Sequence, residues 1–195
     1  MNTQEQSSAK RASIIATTAA LYAILFFLSY TVTLPNFTLL YLPIILLGVF
    51  PIWFGWSGLA GVMIGAFIGS AFVEGLGFLG VFESVVALII YLINWTLMPK
   101  NAAEDGKRKS LIALLGVYAF SLFVGLGYIL MQYTMVPHLF SIAEAEAIFV
   151  PTFALNLPIV LIASPALIRA ISPKLKIWGI YCGNFFEWLN RTKTA

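Results

Sequence analysis

The sequence predicts an all-α membrane protein with about six transmembrane helices and both ends in the cytoplasm. Three observations predict it: an extreme apolar composition, a series of long uncharged runs, and the segregation of every basic residue to one side of those runs. Of the 195 residues, 61% are hydrophobic and only 10% charged, against about 25% charged in an ordinary soluble domain. Mean hydropathy is +0.94. A soluble chain of this size has no single core large enough to hide so much apolar surface. The runs are continuously apolar and do not alternate, which favours helices over a barrel.

Six runs can be cut from the chain. The first spans 12–33 and ends at a short break, Leu34-Pro35-Asn36-Phe37. The second, 39–54, is short and holds Pro43 and Pro51, so a kink is expected. A tight Gly55-Trp56-Ser57 turn leads to the third, 58–73. A glycine-rich break at 74–80 precedes the fourth, 81–98. The strongly polar loop 99–110 leads to the fifth, 111–136, and the sixth covers 149–171. Each is near the length that a hydrocarbon core of roughly 30 Å demands. Residues 1–173 thus form the transmembrane domain, and 174–195 a cytoplasmic or interfacial amphipathic tail rich in aromatic residues. The polar N-terminal residues carry no small-residue cleavage site and are read as retained.

Charge sets the orientation. With six spans, all eleven Lys and Arg residues fall on one side and none on the other. That side is the cytoplasm by the positive-inside rule. The net charge of +3 reflects this bias, and no basic-aromatic stripe exists to track a nucleic acid. Trp53, Trp56 and Trp95 fall near the same inner level and read as an interfacial belt. The single cysteine, Cys182, excludes an intrachain disulfide.

Polar residues gather at the opposite side. Glu74, Glu83, Asn36, Gln132, Tyr133 and Asn156 map to the outer level, with Tyr30 and Tyr128 about one turn deeper. Thr152, His138, Glu144 and Glu146 share that level, the glutamates as solvated loop charges. Glu83 and Asn156 lie inside predicted spans, where an ionisable or amide group marks either function or packing. For Glu83 the packing reading is a helix cap; for Asn156 it is a hydrogen bond to a neighbouring helix. With one histidine, no familiar metal site can be completed. Nucleotide-binding, zinc-protease and serine-hydrolase patterns are absent from the sequence.

Small residues form two ridges: Gly61, Gly65 and Gly69 in the third span, and Ala12, Ala16 and Ala20 in the first. Such ridges let helices approach closely. The glycines suit internal packing, and the alanines offer a docking face to a partner helix.

The chain resembles the substrate-binding (S) component of energy-coupling factor transporters, prokaryotic micronutrient importers. The resemblance rests on length and span count, the ridge Ala12-x-x-x-Ala16-x-x-x-Ala20 after Lys10-Arg11, and the outer polar cluster. It rests also on the run Leu42-Pro43-Ile44-Ile45-Leu46-Leu47-Gly48 leading to Phe54-Gly55-Trp56-Ser57-Gly58. It implies a non-enzymatic binding subunit in the prokaryotic cell membrane that takes a vitamin or precursor at its outer face. The loop at 34–38 would cover the site, and the alanine ridge would dock on a membrane coupling subunit bearing two ATPases. The chain itself would need no cofactor, ATP being used by the partner subunits. On the residues alone, the acidic outer level favours a neutral or cationic ring compound held by Glu74 or Glu83, while amides at helix N-termini leave an anion open. Two other functions stay open: a membrane sensor or assembly protein, and a stand-alone small-solute porter.

Overall fold

The computed structural model describes residues 8–30, 33–34, 37–75, 77–99, 108–136 and 140–193. They form six helices: α1 (Ser8–Ser29), α2 (Ile44–Glu74), α3 (Phe78–Leu97), α4 (Arg108–Met135), α5 (Ile142–Ile177) and the short α6 (Phe185–Lys193). A two-residue antiparallel ladder pairs β1 (Thr33–Leu34) with β2 (Phe37–Thr38) between α1 and α2. The first five helices are long and apolar enough to cross a bilayer. The protein is an all-α polytopic membrane protein.

α2 is two helices in one. Its 31 residues are interrupted at Gly55, where φ is 51° and ψ −128°. That backbone conformation is open to glycine and strained for other residues. Contacts along the bundle show that the chain reverses there. Leu42 N–H reaches Ser29 Oγ at the end of α1, while Gly61 packs on Ile15 and Thr18 near its start, and Gly69 on Phe26. The arm 44–54 therefore runs antiparallel to α1, and the arm 56–74 runs parallel to it. The expected third span is the second arm, and the expected second span, 39–54, is helical only from Ile44; with both arms the described chain makes six passages through the bundle. The first arm is only about 16 Å long at ~1.5 Å per residue, roughly half the hydrocarbon thickness.

This short arm is the centre of the bundle. Every residue from Leu46 to Trp53 is buried, so no face of it is left for lipid. Pro51 has no N–H to offer the Leu47 carbonyl, and Asn94 Nδ2 on α3 donates to it at 3.0 Å. Tyr118 Oη on α4 donates to Gly48 O at 2.8 Å, and Ser164 Oγ on α5 to Ile45 O at 3.2 Å. Tyr91 Oη on α3 donates to Phe50 O at 3.1 Å and to Gly55 O. The last carbonyls, Ile52 O and Trp53 O, accept from the backbone N–H of Gly183 and Cys182 at 2.8 and 3.0 Å. Leu47 O has lost its helical donor to Pro51, and away from water a side chain such as Asn94 must replace it.

The glycine ridge packs inward as expected. A Cβ at Gly61 would overlap Thr18 and the Ile15 carbonyl, and one at Gly65 would lie 2.6 Å from Ala19 O. Ala12, Ala16 and Ala20 stand on the opposite, exposed face of α1. Lys10 Nζ donates to Trp178 O at 3.3 Å, which brings the start of α1 and the end of α5 to one end of the molecule.

Several expectations need correction. The sixth span extends past 149–171 at both ends, opening on a capping box between Ser141 and Glu144. The break placed at residue 173 falls within α5, which continues to Ile177. The tail is bound to the bundle: besides the bonds of Cys182 and Gly183, Asn184 Nδ2 donates to Met98 O at 3.1 Å. Asn184 and Glu187 cap α6 reciprocally. Trp53 and Trp95 are not belt residues. Both are buried, with their indole N–H groups donating to Ser172 Oγ and Gly183 O, while Trp56 is half-exposed against Trp95 and Trp188.

Asn94→Leu should strip the Leu47 carbonyl of its donor and cost about 1–3 kcal/mol, read as a lower unfolding midpoint in detergent. Adding Pro51→Ala supplies an N–H four residues on and should recover part of the loss. A double variant no more stable than Asn94→Leu alone would refute the pairing.

Candidate functional site

A cavity opens above the N-terminal end of the short α2 arm, at the end of the bundle opposite the basic residues. It offers about 60 Å³ to the centres of water-sized molecules, several times the roughly 10–15 Å³ one water needs on that measure. All five long helices line it. Ile44, Val86, Ile90, Leu122, Leu126 and Ile129 make an apolar floor and side wall. Aromatic rings of Phe26, Tyr30, Tyr41 and Tyr133 close it on another side. The α4 contributors follow helical spacing (122, 125, 126, 129, 133), which turns one stripe of that helix to the space.

The polar pole is built around Glu83. It is 9% exposed and sits past the first turn of α3, which begins at Phe78, so it is not a helix cap. Tyr133 Oη lies 3.4 Å from Oε1 and Tyr41 Oη 3.5 Å from Oε2. Both hydroxyls donate, and both bonds are long beside the roughly 2.5–2.7 Å of a strong hydroxyl–carboxylate bond. Tyr22 and Tyr41 share a further hydroxyl–hydroxyl bond, extending the group to α1. Thr152, 3% exposed, also lines the space, and its hydroxyl has no hydrogen-bond partner among the described residues.

Asn156 has a different task. Its Nδ2 donates to Leu39 O and Thr152 O, both at 2.8 Å, and its Oδ1 accepts from Tyr41 N–H at 2.7 Å. A fully buried amide on α5 thus holds the backbone at 39–41, directly after the β1–β2 ladder. That grip delivers the Tyr41 ring to the cavity wall. Ser29 does the same one residue later through Leu42 N–H at 2.9 Å.

The sequence-derived set converges only in part. Glu83, Tyr133, Asn156 and Tyr30 line the cavity. Tyr128 and Gln132 do not: they share a neighbouring, half-buried face of α4. Glu74 ends α2, and its side chain lies outside the description, as do Asn36 and His138. Ser29 and Tyr41 were missed. Tyr41 fell inside the expected second run, 39–54, where it read as one more apolar residue, whereas the helix begins only at Ile44. Among the described residues no group of three His, Cys, Asp or Glu side chains gathers for a metal.

No protein-family model, curated protein or solved structure matches this chain.

The clamp makes a testable claim about local stability. Asn156→Ala should speed hydrogen exchange of the Tyr41 amide by about 10-fold or more, the loss of one net hydrogen bond. Asn156→Asp, which keeps the acceptor, should preserve most of that protection. Equal exchange in the two variants would show that the clamp does not hold this segment.

Proposed function

We propose that this chain is the substrate-specific binding subunit of an ATP-driven micronutrient importer, an S component of an energy-coupling factor transporter. The observation that carries the reading is the cavity at the non-basic end, apolar below, polar at Glu83, and walled by the segment that follows the β1–β2 ladder. A small water-soluble compound such as a vitamin or its precursor would enter from that end. In this reading the β1–β2 ladder, which precedes the cavity-lining stretch in the chain, would serve as the cover. With the basic end in the cytoplasm by the positive-inside rule, the cavity faces outward in a prokaryotic plasma membrane. The exposed Ala12, Ala16 and Ala20 give α1 a smooth outer face for a membrane coupling subunit, and ATPase subunits would act through that partner. In this reading the chain binds and carries but performs no chemistry.

Thermal unfolding of the detergent-purified chain against a panel of vitamins and precursors tests the binding role. A ligand at 100 times its Kd should stabilise the fold by about 2.7 kcal/mol, and Glu83→Gln should remove that shift. Ala16→Trp should leave the shift intact while abolishing co-purification with a coupling subunit and ATP-dependent uptake in proteoliposomes. Uptake by the chain alone, without an ATPase, would replace this reading with the stand-alone porter.

A further inference from the structure

Resting on the reading of the cavity as the ligand site, we infer that Thr152 on α5 reads a hydroxyl or carbonyl oxygen at the edge of a ring-shaped ligand whose remaining surface is apolar. Thr152 lines the cavity, is 3% exposed, and its hydroxyl has no hydrogen-bond partner among the described residues. The hydroxyls of Thr18, Ser29, Ser84 and Thr96 each donate to the helical carbonyl four residues earlier, at 2.7–2.8 Å. Thr152 makes no such bond to Ile148 O. The other buried hydroxyl left unmet among the described residues, that of Ser110 at the start of α4, is not on the cavity wall. A buried hydroxyl without a partner costs stability, so one held on a cavity wall marks a contact made by what enters the cavity.

The other polar side chains of the wall are engaged within the protein. Ser29 Oγ donates to Leu25 O at 2.7 Å and accepts from Leu42 N–H at 2.9 Å. Asn156 gives both ends of its amide to backbone groups. Tyr41 bonds to Tyr22 and Glu83, and Tyr30, Tyr133 and Glu83 are engaged as well. Thr152 is therefore the described polar side chain of this wall that a ligand can meet without displacing a bond. A hydroxyl both donates and accepts, so it matches an uncharged oxygen of either kind. The neighbours set the body of the ligand. Phe26 and Tyr41 stand with ring centroids 5.9 Å apart at 85°, a corner into which a third ring packs by edge or face. Ile44, Val86, Ile90 and Leu126 offer only apolar contact.

Phenol and toluene test this, being one ring with a hydroxyl exchanged for a methyl group. Binding of each to the detergent-purified full chain is read by calorimetry at millimolar concentration, against protein-free micelles. Thr152→Val keeps the shape and removes the hydroxyl. It should weaken phenol by about 2- to 12-fold, the range of one neutral hydrogen bond, and leave toluene unchanged. It should also raise the unfolding midpoint of the ligand-free chain by about 2 °C or more, since an unmet buried hydroxyl is gone. Thr152→Ser should bind phenol as the unaltered chain does. Thr152→Ala removes the same hydroxyl and should lose the preference for phenol over toluene, which keeps the test open if Thr152→Val does not fold. Phenol unchanged in Thr152→Val, phenol and toluene weakened alike, or no phenol binding to the unaltered chain would each overturn the inference. So would a lower midpoint for ligand-free Thr152→Val, which would mean that an internal water already satisfies the hydroxyl. The coupled-transport role fails separately, in subunit assembly and ATP-dependent uptake, which these measurements on the isolated chain do not touch.

Discussion

The rest of this structure depends on satisfying the carbonyls of one short buried helix. The arm at 44–54 has protein on every side, a proline inside and a sharp reversal at its end. Each irregularity frees a carbonyl in a medium that supplies no donors, where an unmet polar group costs several kcal/mol. Asn94 from α3 replaces the donor that Pro51 withholds, two backbone amides from the segment before α6 serve the reversal, and Tyr91, Tyr118 and Ser164 add further bonds to the arm's carbonyls. These bonds also fix rotation and height. A tyrosine reaching Gly48 O cannot do so from another register of α4. Apolar packing alone specifies such register weakly between helices in lipid, because lipid tails are as apolar as leucine.

The cavity follows from the same economy of length. A helix of about 16 Å cannot fill a bilayer-deep bundle, so space remains above its N-terminus once α1, α3, α4 and α5 continue past it. The chain fills part of that depth with the non-helical stretch 39–43, which Asn156 and Ser29 hold by its backbone. Irregular backbone at membrane depth is tolerated where it lines a cavity or is buried in protein. Here it does both, and it brings Tyr41 to Glu83.

Much of this was legible beforehand. Uncharged runs gave the passages, and the segregation of Lys and Arg supported an even number of them. Gly55 marked the reversal because only glycine is at ease there, and the Gly61–Gly69 ridge announced close packing. Glu83 and Asn156 stood out because polar groups inside apolar runs need a reason. What the sequence concealed was direction. Tyr128 and Tyr133 look alike in a linear reading, yet a separation of five residues turns them to different faces of α4. Trp95 looked interfacial by its level, but its indole donates to Gly183 O, a partner 88 residues away. The role of the C-terminal segment was hidden for the same reason: much of its hold on the bundle runs through backbone groups of Cys182 and Gly183, and backbone groups leave no mark in a sequence.

The depth of Glu83 carries an electrical consequence. It lies five residues into α3, about 8 Å along that helix from its start at ~1.5 Å per residue; with that start at the edge of a hydrocarbon layer of about 30 Å, it would sit roughly a quarter of the way across. An elementary charge crossing the whole layer exchanges about 2.3 kcal/mol per 100 mV. A charge carried only to the level of Glu83 exchanges about 0.6 kcal/mol on the same scale. In the proposed orientation, with the basic end inside, an inside-negative membrane potential would draw a cation toward this cavity and hold an anion away. Affinity measured in detergent, where no potential exists, would then understate the affinity for a cationic molecule in an energised membrane.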